Sequence, residues 1–151
     1  MDKHLEWAKR LCCKRECCAQ EVRLKLKKQG IDPKEIERMI TALIKENYIN
    51  EDRYVCAFVH DKSVLQGWGP EKIRYSLHCK QIQGTLIQEA LAGLDVQSQK
   101  GKLLHLLQTK QRSIKATSAL DIRSKLILYG LARGYSYEDI LSLLPLVPLP
   151  N

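Results

Sequence analysis

Residues Val22 to Ile36 read VRLKLKKQGIDPKEI, and the reading of this stretch decides the fold. Leu26 follows Val22 by one helical turn and Gly30 follows by another, in a residue type suited to the left-handed position that closes a helix. Asp32-Pro33 then restarts the chain, since aspartate is a good N-cap and proline is tolerated at the first helical position. The pattern recurs twice. Ile73, Leu77, Gln81, Ile82 and Ile87 take the places of Val22, Leu26, Gly30, Ile31 and Ile36 at a shift of 51 residues, and Leu126, Gly130, Gly134, Tyr135 and Ile140 take them again 53 residues further on. The polar filler between them differs freely. A helical unit of this size cannot bury its apolar stripe alone and packs on its neighbour. The repeat therefore predicts an all-α protein of three tandem three-helix repeats, forming an elongated array of about nine helices.

Working outward, the expected boundaries are 1–66 for an N-terminal helix and first repeat, 67–112 for the second repeat, and 113–151 for a linker and the third. Leu5, Ala8 and Leu11 mark the opening helix, and Ile36, Met39, Ile40, Leu43 and Ile44 the stripe after Pro33. Tyr54, Ala57 and Phe58 mark a helix reaching about Val64. Gly67-Trp68-Gly69-Pro70 frees the backbone and then fixes a helix start; with no preceding strand and no GK[ST] ending, it reads as a turn between units and not as a phosphate loop. Leu86, Ile87, Ala90, Leu91 and Leu94 carry the next helix, and Leu103, Leu104 and Leu107 the one after. Residues 113–119 are small and polar, as in a joint. Pro145, Pro148 and Pro150 stop the last repeat.

The chain of 151 residues carries a formal charge of +8, with 44% apolar and 28% charged residues, enough apolar material for a packed core. The excess is concentrated between Gln97 and Arg133, where Lys100, Lys102, Lys110, Arg112, Lys115, Arg123, Lys125 and Arg133 face the single acid Asp121. Such a zone suits a polyanion or an acidic protein groove. No apolar run is long enough to span a bilayer and the N-terminus lacks a signal-peptide core, so the expected location is the cytoplasm, with thiols reduced.

Cys12, Cys13, Cys17 and Cys18 invite a zinc reading. On a continuous helix, however, Cys13 and Cys17 share a face from which Cys12 and Cys18 diverge, so small apolar packing is the better account. Cys56 and Cys79 are expected to be buried thiols. His4, His60, His78 and His105 are scattered without metal-ligand spacing. Glu51-Asp52 and Glu138-Asp139 fall at helix starts, where carboxylates favour the helix dipole. No catalytic residues, metal or cofactor are expected.

The segment from Ile49 to Val59, followed by Gly69 to Leu77, resembles the signature of the RecX family of recombinase regulators. The resemblance is carried by Asp52, Tyr54, Ala57, Gly69, Ile73 and Leu77, and continues through Lys125-Leu126, Arg133-Gly134-Tyr135 and Ile140. Gly130, where leucine is usual, and Gln81, where the helix-ending glycine is usual, depart from it. The resemblance implies an elongated, curved array and a non-enzymatic, monomeric cytoplasmic protein that binds RecA and its nucleoprotein filament, with DNA phosphates as a further contact. It implies inhibition of recombinase, ATPase and coprotease activities in DNA repair and the SOS response. The contact residues expected on this reading are Arg23, Lys27, Arg53, Lys62, Lys72, Arg74, Lys102, Lys110, Arg112, Arg123 and Arg133. The alternative is a sequence-independent nucleic-acid-binding helical repeat, which an aromatic content of 6% disfavours for single strands.

Overall fold

The computed structural model of the protein describes residues 3–115 and 118–149. Among these residues the chain forms nine α-helices and no strand: α1 Lys3–Lys14, α2 Ala19–Lys28, α3 Pro33–Lys45, α4 Glu51–His60, α5 Pro70–Cys79, α6 Gly84–Ala92, α7 Val96–Ser113, α8 Ala119–Ala132 and α9 Tyr137–Leu143. A π-helical turn, Asp61–Leu65, continues α4, and a 3-10 turn, Leu144–Leu146, follows α9. The expected joint at 113–119 includes residues 116 and 117, and the last expected stop is Pro150; these three lie outside the described residues.

The chain divides into two compact units. The first takes the chain up to Phe58 together with Leu77–Ile87, and the second takes Val59–Ser76 and the chain from Gln88 onward. In the first, Ala8, Cys17, Val22, Leu26, Ile36, Met39, Ile40, Leu43 and Ile49 form a buried cluster, with Leu5, Trp7 and Tyr48 packed on it. Asp32 caps α3 as expected, its side chain accepting the Lys34 amide at 3.1 Å with Pro33 in the first turn. In the second, α7, α8 and α9 pack pairwise around Leu103, Leu107, Ile122, Leu126, Tyr135, Ile140 and Leu143.

The repeat read in the sequence is a repeat of helix endings. Gly30, Gln81 and Gly134 all have positive φ, at 78°, 59° and 99°. At each, the same two hydrogen bonds close the helix. The Gly30 amide donates to the Lys27 carbonyl and the Ile31 amide to that of Leu26; Gln81 and Ile82 donate likewise to His78 and Leu77, and Gly134 and Tyr135 to Leu131 and Gly130. This is the Schellman closure, in which a left-handed residue lets the chain recover two otherwise unpaired carbonyls. The apolar positions around it are buried in all three copies: Val22, Leu26 and Ile36; Ile73, Leu77, Ile82 and Ile87; Leu126, Tyr135 and Ile140. Gly130 departs from leucine because Ile140 occupies the space, so that a Cβ there would lie 2.7 Å from the Ile140 Cδ1.

One junction organises the second unit. The Gly69 amide donates to the Arg133 carbonyl at 2.7 Å and the Glu71 amide to the Gly134 carbonyl at 2.9 Å. The start of α5 thus receives the two carbonyls that follow the end of α8, and Pro70 between the two donors has no amide to leave unpaired. The approach requires glycine on both sides. A Cβ on Gly69 would lie 2.7 Å from the Tyr135 nitrogen, and one on Gly134 would lie 2.8 Å from the Lys72 nitrogen.

Two local expectations are corrected. The helix expected to reach Val64 ends as an α-helix at His60, and the π turn beyond it directs Ser63 inward, fully buried, where Gln99 Nε2 donates to its hydroxyl at 2.9 Å. Cys56 and Cys79, expected to be buried, are exposed, because they lie on the outward faces of α4 and α5.

Gln81 holds a conformation that costs a residue with a Cβ about 1 kcal/mol. Gln81→Gly is expected to raise stability by roughly 0.5–1 kcal/mol in urea denaturation, whereas Gly134→Ala, which adds a steric clash to the same backbone strain, is expected to lower it by about 3 kcal/mol.

Candidate interaction surface

The structure sorts the eleven basic residues singled out in the sequence by what their charges already do. In the first unit, Arg23 grips Glu37 bidentately, with Nε donating at 2.6 Å and Nη2 at 3.1 Å, and this hydrogen bonding holds the Glu37 carboxyl below its ordinary range. Arg53 donates to Glu16 at 3.0 Å and to the carbonyl oxygens of Asn47 at 2.9 Å and Tyr48 at 3.4 Å, bracing the α3–α4 loop. Lys27, near the end of α2, is exposed.

In the second unit, the ammonium groups of Lys62 and Lys72 lie 4.7 Å and 4.4 Å from the centre of the Trp68 ring, within cation–π range. The loop bearing Trp68 is pinned twice, since Arg133 Nη2 donates to the Gln66 carbonyl and the Tyr135 hydroxyl donates to that of Gly67 at 3.2 Å. Burial raises the pKa of that hydroxyl, which keeps it a donor. Lys62, Lys72 and Arg133 are therefore brought together on one loop. Lys102 Nζ reaches both the carbonyl and the hydroxyl of Ser63 at 3.3 Å. Arg74 pairs with Glu71 at 2.5 Å, one turn along α5. Arg112 and Arg123 are exposed, and Lys110 lies 5.1 Å from the centre of the Tyr129 ring.

Lys110 also lines an open groove of about 620 Å³, with Ser113, Ile114, Lys115, Lys125, Leu128 and Tyr129. Lys115 and Lys125 belong to the basic zone of the sequence but were not among the singled-out contacts, and the aromatic partners Trp68 and Tyr129 were not assigned to cations. Lys125 stands four residues from Asp121 and pairs with it at 3.4 Å, an ordinary helical spacing that hides its second role as part of the groove.

The cysteines fall where packing and capping put them. Cys17 and Cys18 are buried, Cys12 is half-buried and Cys13 exposed. Helix α1 ends at Lys14, so the four do not share one continuous helix. Cys18 is the N-cap of α2, where its amide donates to Glu21 Oε1 at 3.2 Å, and burial pushes its thiol up to about 11. A hydrogen bond with Cys12 holds the Cys17 thiol below its ordinary value, and the same contact raises that of Cys12. Among the described residues, no three His, Cys, Asp or Glu side chains are grouped to hold a metal ion, and no helix is long and apolar enough to cross a membrane.

The helices define an all-α protein built from three-helix packing, whose polar side chains are engaged with loop carbonyls, helix ends and aromatic faces. Residues 50–91, spanning α4 to most of α6, match the family model of the second three-helix domain of RecX. The chain is 35% identical over 123 residues to the regulatory protein RecX of Clostridium botulinum, covering 80% of this chain and 57% of that protein. It is 36% identical over 121 residues to that of Clostridium beijerinckii, covering 79% and 56%. The chain thus spans a little over half the length of these relatives. The crystal structure of RecX from Lactobacillus salivarius superposes with a TM-score of 0.80 at 23% identity, covering 96% of this chain and 94% of that one, which shows the fold. Together these findings support placing the chain in the RecX family.

All three of Arg53, Arg112 and Arg123 are exposed, but Arg53 also braces a loop through its hydrogen bonds. Arg53→Ala is expected to lower stability by about 1–2 kcal/mol, and Arg112→Ala and Arg123→Ala to stay within about 0.5 kcal/mol of the parent, as read from urea midpoints.

Proposed function

We propose that this chain is a cytoplasmic, monomeric regulatory protein that binds the RecA recombinase and its nucleoprotein filament. It inhibits recombinase, ATPase and coprotease activities, and so acts in DNA repair and the SOS response without performing chemistry of its own. The observation that carries this reading is the match to relatives named regulatory protein RecX at 35–36% identity. The three-repeat division at 67 and 113 belongs to the same proposal.

Charge distribution supports it. A basic zone complements a groove that presents acidic protein surface beside DNA phosphates, and such complementarity sets encounter rate and register more than raw affinity. The eleven proposed contacts differ in how far their charges are already engaged within the chain. Arg23, Arg53, Arg74 and Arg133 already serve intramolecular partners, and an arginine released to a partner surface leaves its own acceptor unpaired. Lys27, Arg112 and Arg123, which are exposed, and Lys110, whose ammonium rests on a ring, carry charge that a partner can use.

Charge reversal of Lys110, Arg112 and Arg123 together is expected to weaken inhibition of RecA ATP hydrolysis on single-stranded DNA by about tenfold or more, the effect of roughly 1.4 kcal/mol, with the helical circular dichroism unchanged. Unaltered inhibition by the triple variant would remove this surface from the proposal. A pull-down comparing free RecA, RecA on single-stranded DNA and DNA alone separates the recombinase reading from general nucleic-acid binding.

A further inference from the structure

Helix α8 is apolar on two faces. Ile122, Leu126 and Gly130 are buried, as the repeat requires, yet Leu120 is 72% exposed, Leu128 67% and Leu131 42%. A surface helix ordinarily carries one apolar stripe and a polar remainder. Of these three, Leu128 lines a groove, where an exposed apolar side chain rimmed by polar ones offers a docking point. Here the rim is charged with one sign. Leu128, Ile114 and Tyr129 line the groove of about 620 Å³ together with Lys110, Lys115 and Lys125.

The occupant follows from this combination. Three lysines that line one groove with Ile114, Leu128 and Tyr129 are complemented by negative charge flanking an apolar anchor. Asp121 offsets only part of that charge, because its pairing with Lys125 is half exposed on both sides. A nucleic-acid strand would need aromatic faces on which to stack its bases. The groove offers one ring, Tyr129, and the Lys110 ammonium already lies over it at 5.1 Å. The rest of the floor is aliphatic.

We propose that this groove docks an acidic peptide segment of a partner protein. An aliphatic side chain of that segment seats on Leu128 and Ile114 while carboxylates on either side of it meet Lys110, Lys115 and Lys125. This assignment goes beyond the recombinase reading and does not rest on it, since it names a peptide chemistry that any protein partner could supply.

The test uses the full chain without recombinase. The probe is a short fluorescein-labelled peptide with a pair of leucines flanked on both sides by glutamates, compared with the same peptide carrying serines for the leucines and with a labelled oligothymidylate. Fluorescence anisotropy at physiological salt is expected to show binding of the leucine peptide at least about tenfold tighter than the serine peptide, from burial of the aliphatic anchor. Leu128→Ser is expected to abolish that preference, and Lys115→Glu with Lys125→Glu to weaken both peptides, in proteins of unchanged circular dichroism. Because Leu128 is exposed and the lysines lie on the rim, these variants test the groove and not the core. Equal binding of the two peptides, no binding of either, or tighter binding of the oligothymidylate with the same dependence on Leu128 would overturn the proposal. The peptide result stands whether or not the chain inhibits RecA.

Discussion

The Gly69 and Glu71 amides point into the Arg133 and Gly134 carbonyls, so the beginning of one helix and the end of another complete each other. Each terminus alone would leave unpaired backbone groups, and opposite ends of two helix dipoles attract. The contact also explains residues that look unrelated in sequence. Gly69 and Gly134 lack side chains because two backbones meet there, Pro70 tolerates its missing amide because the donors lie on either side of it, and Arg133 and Tyr135 hold the preceding loop by its carbonyls. With that loop fixed, Trp68 is presented to Lys62 and Lys72, and the polar character of this part of the second unit follows from a backbone contact.

Much of the fold was legible because the repeat encodes a backbone requirement and not merely hydrophobicity. Gly30, Gln81 and Gly134 share a left-handed conformation and an identical pair of hydrogen bonds, so the positions that recur in the sequence are helix ends. Gln81 shows that the requirement lies in the dihedral angle: glutamine accepts it at some cost where glycine is absent. Gly130 was harder to place. Its missing side chain is compensated by Ile140 from the next helix, and such volume exchange leaves no trace in a single sequence. The π turn after His60 was likewise hidden, since its Ser63 is buried against Gln99 and Lys102, which lie far along the chain.

The interaction surface was less legible. Counting charges located the basic zone between Gln97 and Arg133, but sequence does not reveal which cations are already engaged. Arg23 and Arg53 look as available as Lys27 until Glu37, Glu16 and the loop carbonyls are seen beside them. Conversely, Lys115 and Lys125 looked ordinary, one just beyond a helix and the other in a helical ion pair, until the groove they share with Leu128 and Tyr129 was formed. The leucines of α8 are spread around the helix in a way the sequence does show, but not which of its two apolar faces the fold leaves uncovered.

The interleaving of the two units has a bearing on how the protein is made. The chain runs through the first unit to Phe58, crosses into the second, returns for Leu77–Ile87 and leaves again. During synthesis, domains form as their segments emerge. Every segment of the first unit has been translated once Ile87 has been added, whereas the start of α5 must wait for Arg133 and Gly134, more than sixty residues downstream. Until then the Gly69 and Glu71 amides have only water, and the growing polypeptide carries an open helix end.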